Sequence, residues 1–396
     1  MKKALTRLGT LIAAAGLAIS PVAAQAQETN PGTPDHQHFS VSGFKSYEQL
    51  VSKLKQIEQN SQGRVSVEAA GHSNRGRAIH TATVGHGDKV IMITSQIHGN
   101  EPTGTEALVN LLQYLGSSRS PRAEQLRNEL TLVAIPQMNP DAAVLNRRAN
   151  DMPWEDVTAS FPSLANVEPA WNYYTRTIQG HDYSKRPGFD VNRDFHPDLD
   201  YQPQPEDFPG RSSQPGWYIT PEAQTIRDVY RSLTQTHGKV DVYIDLHHQG
   251  PYYKVEGSDD LVTLSLSGQF VPDPNSPEGA KYSEYADRYN YDFSRQLNVA
   301  AYNALQEMGH SPFDNITLYP QGLDLPGTAL GSFALNGSGT VLFEVRGQTQ
   351  SMGQKKRGQL VKAVETGLNG ILDSVAAGTV HEIDPEDYEK IPSTDR

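Results

Sequence analysis

His98 and Glu101, three residues apart, follow directly on the apolar run 90–94. A second apolar run, 240–246, carries Asp245 at its end and stops at His247 and His248; a third, 340–343, stops at Glu344. Two imidazoles and a carboxylate form the donor set of a catalytic zinc site, in which three protein ligands leave a fourth position for water. Zinc lowers the pKa of that water toward ~7, and a nearby carboxylate can take the proton and pass it to a leaving amine. Glu344 is available as that carboxylate once His98, Glu101 and His247 are assigned as ligands. Arg148, Asn192 and Arg193 supply cations and donors, and an arginine beside the metal would stabilise the oxyanion of a tetrahedral intermediate. A His and a Glu three apart occur by chance in most long chains; a third ligand and a separate base give the spacing its meaning.

The elements that must position these groups are legible around them. The run 90–94 is too short and too rich in β-branched residues for a helix and predicts a buried strand. Pro102 suits a first helical turn, and Ala107, Leu108, Leu111, Leu112 and Leu115 supply the apolar face of the helix that follows. His98 and Glu101 therefore fall beyond the carboxyl end of a strand, where open α/β sheets bind ligands. Leu50, Leu54 and Ile57 mark an earlier helix capped by Ser46, residues 65–69 and 79–84 a hairpin, and 130–135 a strand running into Asn139-Pro140-Asp141. Thr220 and Pro221 open a further helix, and residues 354–375 form a closing one. Strands alternating with helices predict an α/β sheet covered on both faces.

The rest of the composition bounds the setting. The chain has 396 residues, a formal net charge of −12 and no cysteine, which argues against nucleic acid as a partner and against disulfide support. Lys2, Lys3 and Arg7 precede the apolar stretch 11–18, and Ala24-Gln25-Ala26 gives a small-residue cleavage site, so residues 1–26 read as a signal peptide. Export to the bacterial periplasm or the exterior is the expectation, with no membrane anchor, since no later run approaches spanning length. Residues 27–43 form a polar leader, 44–377 the catalytic domain, and 378–396 an acidic tail expected to be loosely held. Positions 151–189 form an aromatic and proline-rich insertion, expected either to wall a cleft or to make a solvated excursion with its own small cluster.

The ordered pieces His98-Gly-Asn-Glu101, Asn139-Pro140-Asp141, Arg148-Ala-Asn150, Asp190-Val-Asn192-Arg193, Asp245-Leu-His247 and Phe343-Glu344-Val-Arg346 give the chain a resemblance to the zinc carboxypeptidases of the M14 (carboxypeptidase A-like) family. The resemblance implies a mixed eight-stranded central sheet flanked by helices. It also implies one zinc ion on His98, Glu101 and His247, Glu344 as general base, and Arg148 polarising the scissile carbonyl. Asn192 and Arg193 would hold the terminal carboxylate of a peptide substrate with a free C-terminus. His248 competes with His247, but the family places the ligand directly after Asp-Leu, and side chains alternate along a strand. Arg147 competes with Arg148. The family's tyrosine that closes over the substrate carboxylate has no match in 327–339, which leaves Tyr319 as the candidate. The resulting expectation is a secreted peptidase that removes C-terminal residues. The alternatives are a zinc amidohydrolase acting on acyl-amino acids or cell-wall peptides and, with both ligands and base present, less readily a non-catalytic homologue.

Overall fold

Eight strands form one mixed sheet, and its order explains where the site lies. The computed structural model describes residues 43–307, 315–347 and 353–396. The signal peptide expected at 1–26 and all but the last residue of the leader at 27–43 lie outside the described residues. In chain order the strands are β1 (Val65–His72), β2 (Ala78–Gly85), β3 (Lys89–Ser95), β4 (Leu130–Ile135), β5 (Val242–Gln249), β6 (Leu264–Ser267), β7 (Ile316–Leu318) and β8 (Gly339–Arg346). Across the sheet they run β1-β2-β4-β3-β5-β8-β6-β7. The central four, β4, β3, β5 and β8, are parallel; β2 is antiparallel to β4, and β6 to β8. From β3 the chain first crosses to β4 on one side and later returns to β5 on the other. That reversal opens a crevice beyond the carboxyl ends of β3 and β5.

Helices α1 (Tyr47–Asn60), α2 (Thr103–Ser117), α3 (Pro121–Glu129), α7 (Tyr291–Gln306) and α9 (Gly353–Ala377) cover one face, and α6 (Pro221–His237) and α8 (Ala329–Leu335) the other. The alternation of β3 shows the division. Ile91 and Ile93 join the first core, Val90 and Met92 the second, and all four are fully buried. Capping follows the sequence expectation. Ser46 and Gln49 form a reciprocal capping box at α1, and the Thr220 hydroxyl accepts from Ala223 N at α6. No helix among the described residues is long and apolar enough to cross a membrane.

The tail departs from expectation. Residues 378–396 are packed rather than loosely held: Tyr388 and Ile391 are buried, and Arg295 of α7 pairs with Glu386 and Glu389. Thr394–Asp395 pairs antiparallel with Lys254–Val255, and the segment lies along β7, where Leu318 N donates to Pro392 O at 2.7 Å. Counting acidic residues and prolines missed the two apolar anchors and the guanidinium already buried beneath them.

The insertion follows α4 (Pro140–Leu145) and contains α5 (Trp154–Ser160), with short pairings between Tyr173–Tyr174 and Gly188–Phe189 and between Thr177–Ile178 and His181–Asp182. It has its own apolar cluster of Met152, Val157, Leu164, Ala170 and Phe189, closed by Trp217 and Ile219. Its inner edge nevertheless reaches Asp190 through Tyr174, whose hydroxyl donates to Asp190 Oδ2 at 3.3 Å.

Candidate metal and peptidase centre

The loop after β3 is aimed by a strained turn. Gln96 adopts φ 53°, a conformation that costs a non-glycine residue of order 1 kcal/mol and needs surrounding structure to hold it. Its side chain donates to Gly99 O at 2.7 Å and accepts from Thr105 and Gln137, while the Asn139 side chain donates to Ile97 O at 3.0 Å. Gly99 has no substitute here: a Cβ would lie 2.0 Å from the Ala142 carbonyl carbon. The glycine of His98-Gly-Asn-Glu101 therefore lets the loop pack on α4 and present both ligand candidates to the crevice.

His247 enters from β5. Tyr243, Asp245 and His247 share one face of the strand, and Leu246 and His248 the other, as a two-residue period requires. The structure accordingly separates the two histidines. His247 Nδ1 lies 3.0 Å from Glu101 Oε2, whereas His248 Nε2 accepts from Thr103 N at 3.0 Å at the start of α2. Burial pushes the His248 imidazole down to about 4, which suits that neutral acceptor role.

His98, Glu101 and His247 converge. His98 Nδ1 is 2.9 Å from Glu101 Oε1 and 3.2 Å from His247 Nδ1. The far nitrogen of each ring is held by a carboxylate, His98 Nε2 by Asp190 Oδ1 at 3.2 Å and His247 Nε2 by Asp245 Oδ2 at 2.9 Å. A carboxylate at Nε2 favours the tautomer with its proton there, so each Nδ1 lone pair faces the other and the Glu101 carboxylate. Three facing lone-pair donors repel one another unless a cation lies between them, and this donor set fits one zinc ion. The charges agree. Burial would raise the Glu101 carboxyl, but the two imidazoles outweigh it and hold it well below the usual range. Burial would lower His247, but Asp245 and Glu101 outweigh that and raise it.

Arg148 and Asp190 complete the other wall. Asn146 ends α4 at φ 49°, a left-handed residue that turns the chain so that the two following arginines diverge. Arg147 donates to the carbonyls of Ala149 and Asn150 and lies over the Tyr183 ring, inside the structure. Arg148 faces the centre: Nε donates to Asp190 Oδ2 at 3.0 Å, and Nη1 lies 3.4 Å from His98 Nδ1. Asp190 also accepts from Tyr174 OH at 3.3 Å; burial would raise its carboxyl, but Arg148 and then His98 hold it well below the usual range. Asn150 ties this wall to the scaffold, donating to Glu222 at 3.0 Å and accepting from Phe189 N at 2.7 Å; burial pushes the Glu222 carboxyl up to about 7.

Glu344 is the direct cross-strand partner of His247 in the parallel β5–β8 pair. Its Oε2 is buried and has no hydrogen-bond partner among the described residues. Burial pushes the carboxyl up to about 8; Glu101 adds to this, while His247, Arg396 and Arg148 oppose it. An orphaned buried carboxyl oxygen is costly to keep, which makes Glu344 a candidate functional group. Asn192 accepts from Ala329 N at 3.1 Å, and its Nδ2 lies 3.4 Å from His247 Nε2. Arg193 donates to Asn192 O at 2.7 Å and forms no ion pair among the described residues. Asp194 is engaged elsewhere, by Trp217 N, Ile219 N and Thr220. Tyr319 stands apart from the three ligand candidates, its ring 4.3 Å beneath the Arg396 guanidinium.

The match to known proteins decides the family. The family model for zinc carboxypeptidases, peptidase M14, covers residues 50–348, well over half of the chain. The chain belongs to the zinc carboxypeptidase family. Its fold is shared with carboxypeptidase A from Helicoverpa armigera at a TM-score of 0.55 and 15% identity, covering 88% of this chain and 77% of that one. It is also shared with bovine thrombin-activatable fibrinolysis inhibitor, solved in complex with tick carboxypeptidase inhibitor, at a TM-score of 0.51 and 14% identity, covering 86% and 98%. Mouse carboxypeptidase M is 30% identical over 107 residues, and the match spans 24% of that relative and 25% of this chain.

Two residues of this family site escaped the sequence reading as functional groups, Asp190 and Asp245. Both sit two positions before a residue singled out, and for Asp245 the strand period alone places it on the face of His247. We expect Asp190→Asn to weaken zinc binding by roughly 10- to 100-fold, since the ring it orients would lose its charged anchor. Competition with a chelating dye measures this; unchanged affinity would confine Asp190 to holding Arg148.

Proposed function

We propose that the protein is a zinc-dependent carboxypeptidase that removes residues one at a time from the free C-terminus of peptides. The observation that carries this reading is the unpartnered Glu344 Oε2 beside His247, together with Asn192, whose side chain lies 3.4 Å from His247 Nε2 and whose carbonyl accepts from Arg193, an arginine with no carboxylate partner among the described residues. His98, Glu101 and His247 would hold the metal. When bound, zinc acidifies water and polarises a carbonyl. Glu344 takes the proton of the attacking water and delivers it to the departing amine. Arg148, fixed by Asp190, donates to the oxygen on which negative charge develops, with its orientation set beforehand. Arg193, with Asn192 beside it, receives the terminal carboxylate through its forked donors, which selects a chain end over an internal bond.

The signal-peptide pattern at 1–26 supports export, and recovery of protein beginning near Gln27 from the periplasm or medium tests it. For the activity, a peptide of mixed sequence is digested and followed by mass spectrometry. Loss of single residues from the C-terminus, abolished by a chelator and restored by zinc, is expected. Cleavage at internal bonds, or full activity after the metal is removed, would overturn the proposal. The zinc amidohydrolase reading would gain from release of acyl groups without this stepwise ladder.

A further inference from the structure

Arg396 lies in the packed tail between Tyr253 and Tyr319, in a position that no part of the proposed reaction uses. A row of register partners crosses the sheet from the centre: His247 on β5, Glu344 on β8, Ser265 on β6 and Thr317 on β7. Neighbouring strands are about 4.8 Å apart, so this row is a short ruler from the reacting carboxyl outward. Thr394 sits on it. Its hydroxyl lies 3.0 Å from Ser265 Oγ and 2.6 Å from Thr317 Oγ1 and donates to Leu318 O at 2.7 Å, on the face that carries Glu344. Asp395 then pairs with Lys254 in the loop that follows His247, which fixes the direction of the next residue.

That residue places its guanidinium between two tyrosines, 4.3 Å from the Tyr319 ring centre and 4.8 Å from that of Tyr253. Both rings are offered by loops, one after β7 and one after β5. Arg396 is exposed, and no carboxylate among the described residues pairs with it. Tyr319, the candidate for closing over the substrate, is thus occupied in holding this cation. Stacking against two aromatic faces orients the guanidinium; one donor is engaged by Tyr319, and the remaining donors of the fork can meet a planar anion. In a chain of net charge −12, such a cation at the site is a selective feature rather than part of a general basic surface.

We propose that Arg396 determines specificity by receiving an acidic side chain on the substrate's C-terminal residue, so that peptides ending in Glu or Asp are favoured. The inference rests on the carboxypeptidase reading: Arg193 would take the terminal carboxylate and Arg396 the side-chain carboxylate. A charge-assisted pair at a partly solvated site should give about a 10-fold advantage for a peptide ending in Glu over the same peptide ending in Gln.

The test compares peptides identical except for a final Glu, Gln or Lys. Both kcat/KM and binding are measured, the latter by calorimetry on the zinc-loaded Glu344→Gln protein. Arg396→Gln should bring the Glu-to-Gln ratio close to one, and Arg396→Glu should turn the preference toward Lys, with thermal melting used to confirm that each variant is folded. A wild-type ratio near one, or a ratio that persists in Arg396→Gln, overturns the assignment. If no peptide is shortened but the binding ratio behaves as described, the exopeptidase reading fails and the role of Arg396 stands.

Discussion

Glu344→Gln is expected to lower kcat/KM by on the order of 10³-fold or more while the protein still binds one zinc ion. The amide keeps the shape of the side chain and a donor and acceptor, but it cannot take a proton from water. The ligand candidates His98, Glu101 and His247 are on other residues and retain their anchors at Asp190 and Asp245, so the metal should remain. His98→Ala should lose metal and turnover together, because it removes one donor and leaves Asp190 without the ring it holds. The pair of variants separates base from ligand. Loss of zinc in Glu344→Gln, or a near-normal rate, would show that the base lies elsewhere; metal content and steady-state rates measure both.

The parts of this site that were legible in the sequence are those where a local period meets a change of residue type. A short β-branched run that stops at His98 and Glu101 announces a strand end, and the two-residue period prefers His247 to His248 because only one face of β5 looks toward Glu101. The choice of Arg148 over Arg147 was less accessible, since it depends on the left-handed turn at Asn146 and on carbonyls of the insertion that absorb Arg147. The tail was misjudged for the same kind of reason. Its anchors, such as Thr394 on Ser265, are 129 residues apart in the chain, and no local pattern announces them. Arg396 becomes interpretable only when β7 and the loop after β5 bring Tyr319 and Tyr253 to either side of it.

Recognition of a chain end is the central claim, and it rests on Arg193. Its guanidinium is tied to Asn192 O and pairs with no carboxylate among the described residues, while Asp194, the nearest carboxylate in sequence, is filled by Trp217, Ile219 and Thr220. A fork left open in this way can take both oxygens of a terminal carboxylate, and an amidated terminus removes that charge while preserving the rest of the peptide. Leaving a partly buried charge without its partner typically costs about 2–5 kcal/mol, which corresponds to roughly 10²-fold or more in kcat/KM. Arg193→Ala should weaken the free-acid substrate and nearly abolish the difference between the two. The most direct measurement is therefore kcat/KM for one peptide as free acid and as amide with the zinc-loaded protein. A fall of roughly 10²-fold or more on amidation is predicted, and equal hydrolysis of the two forms would contradict the account.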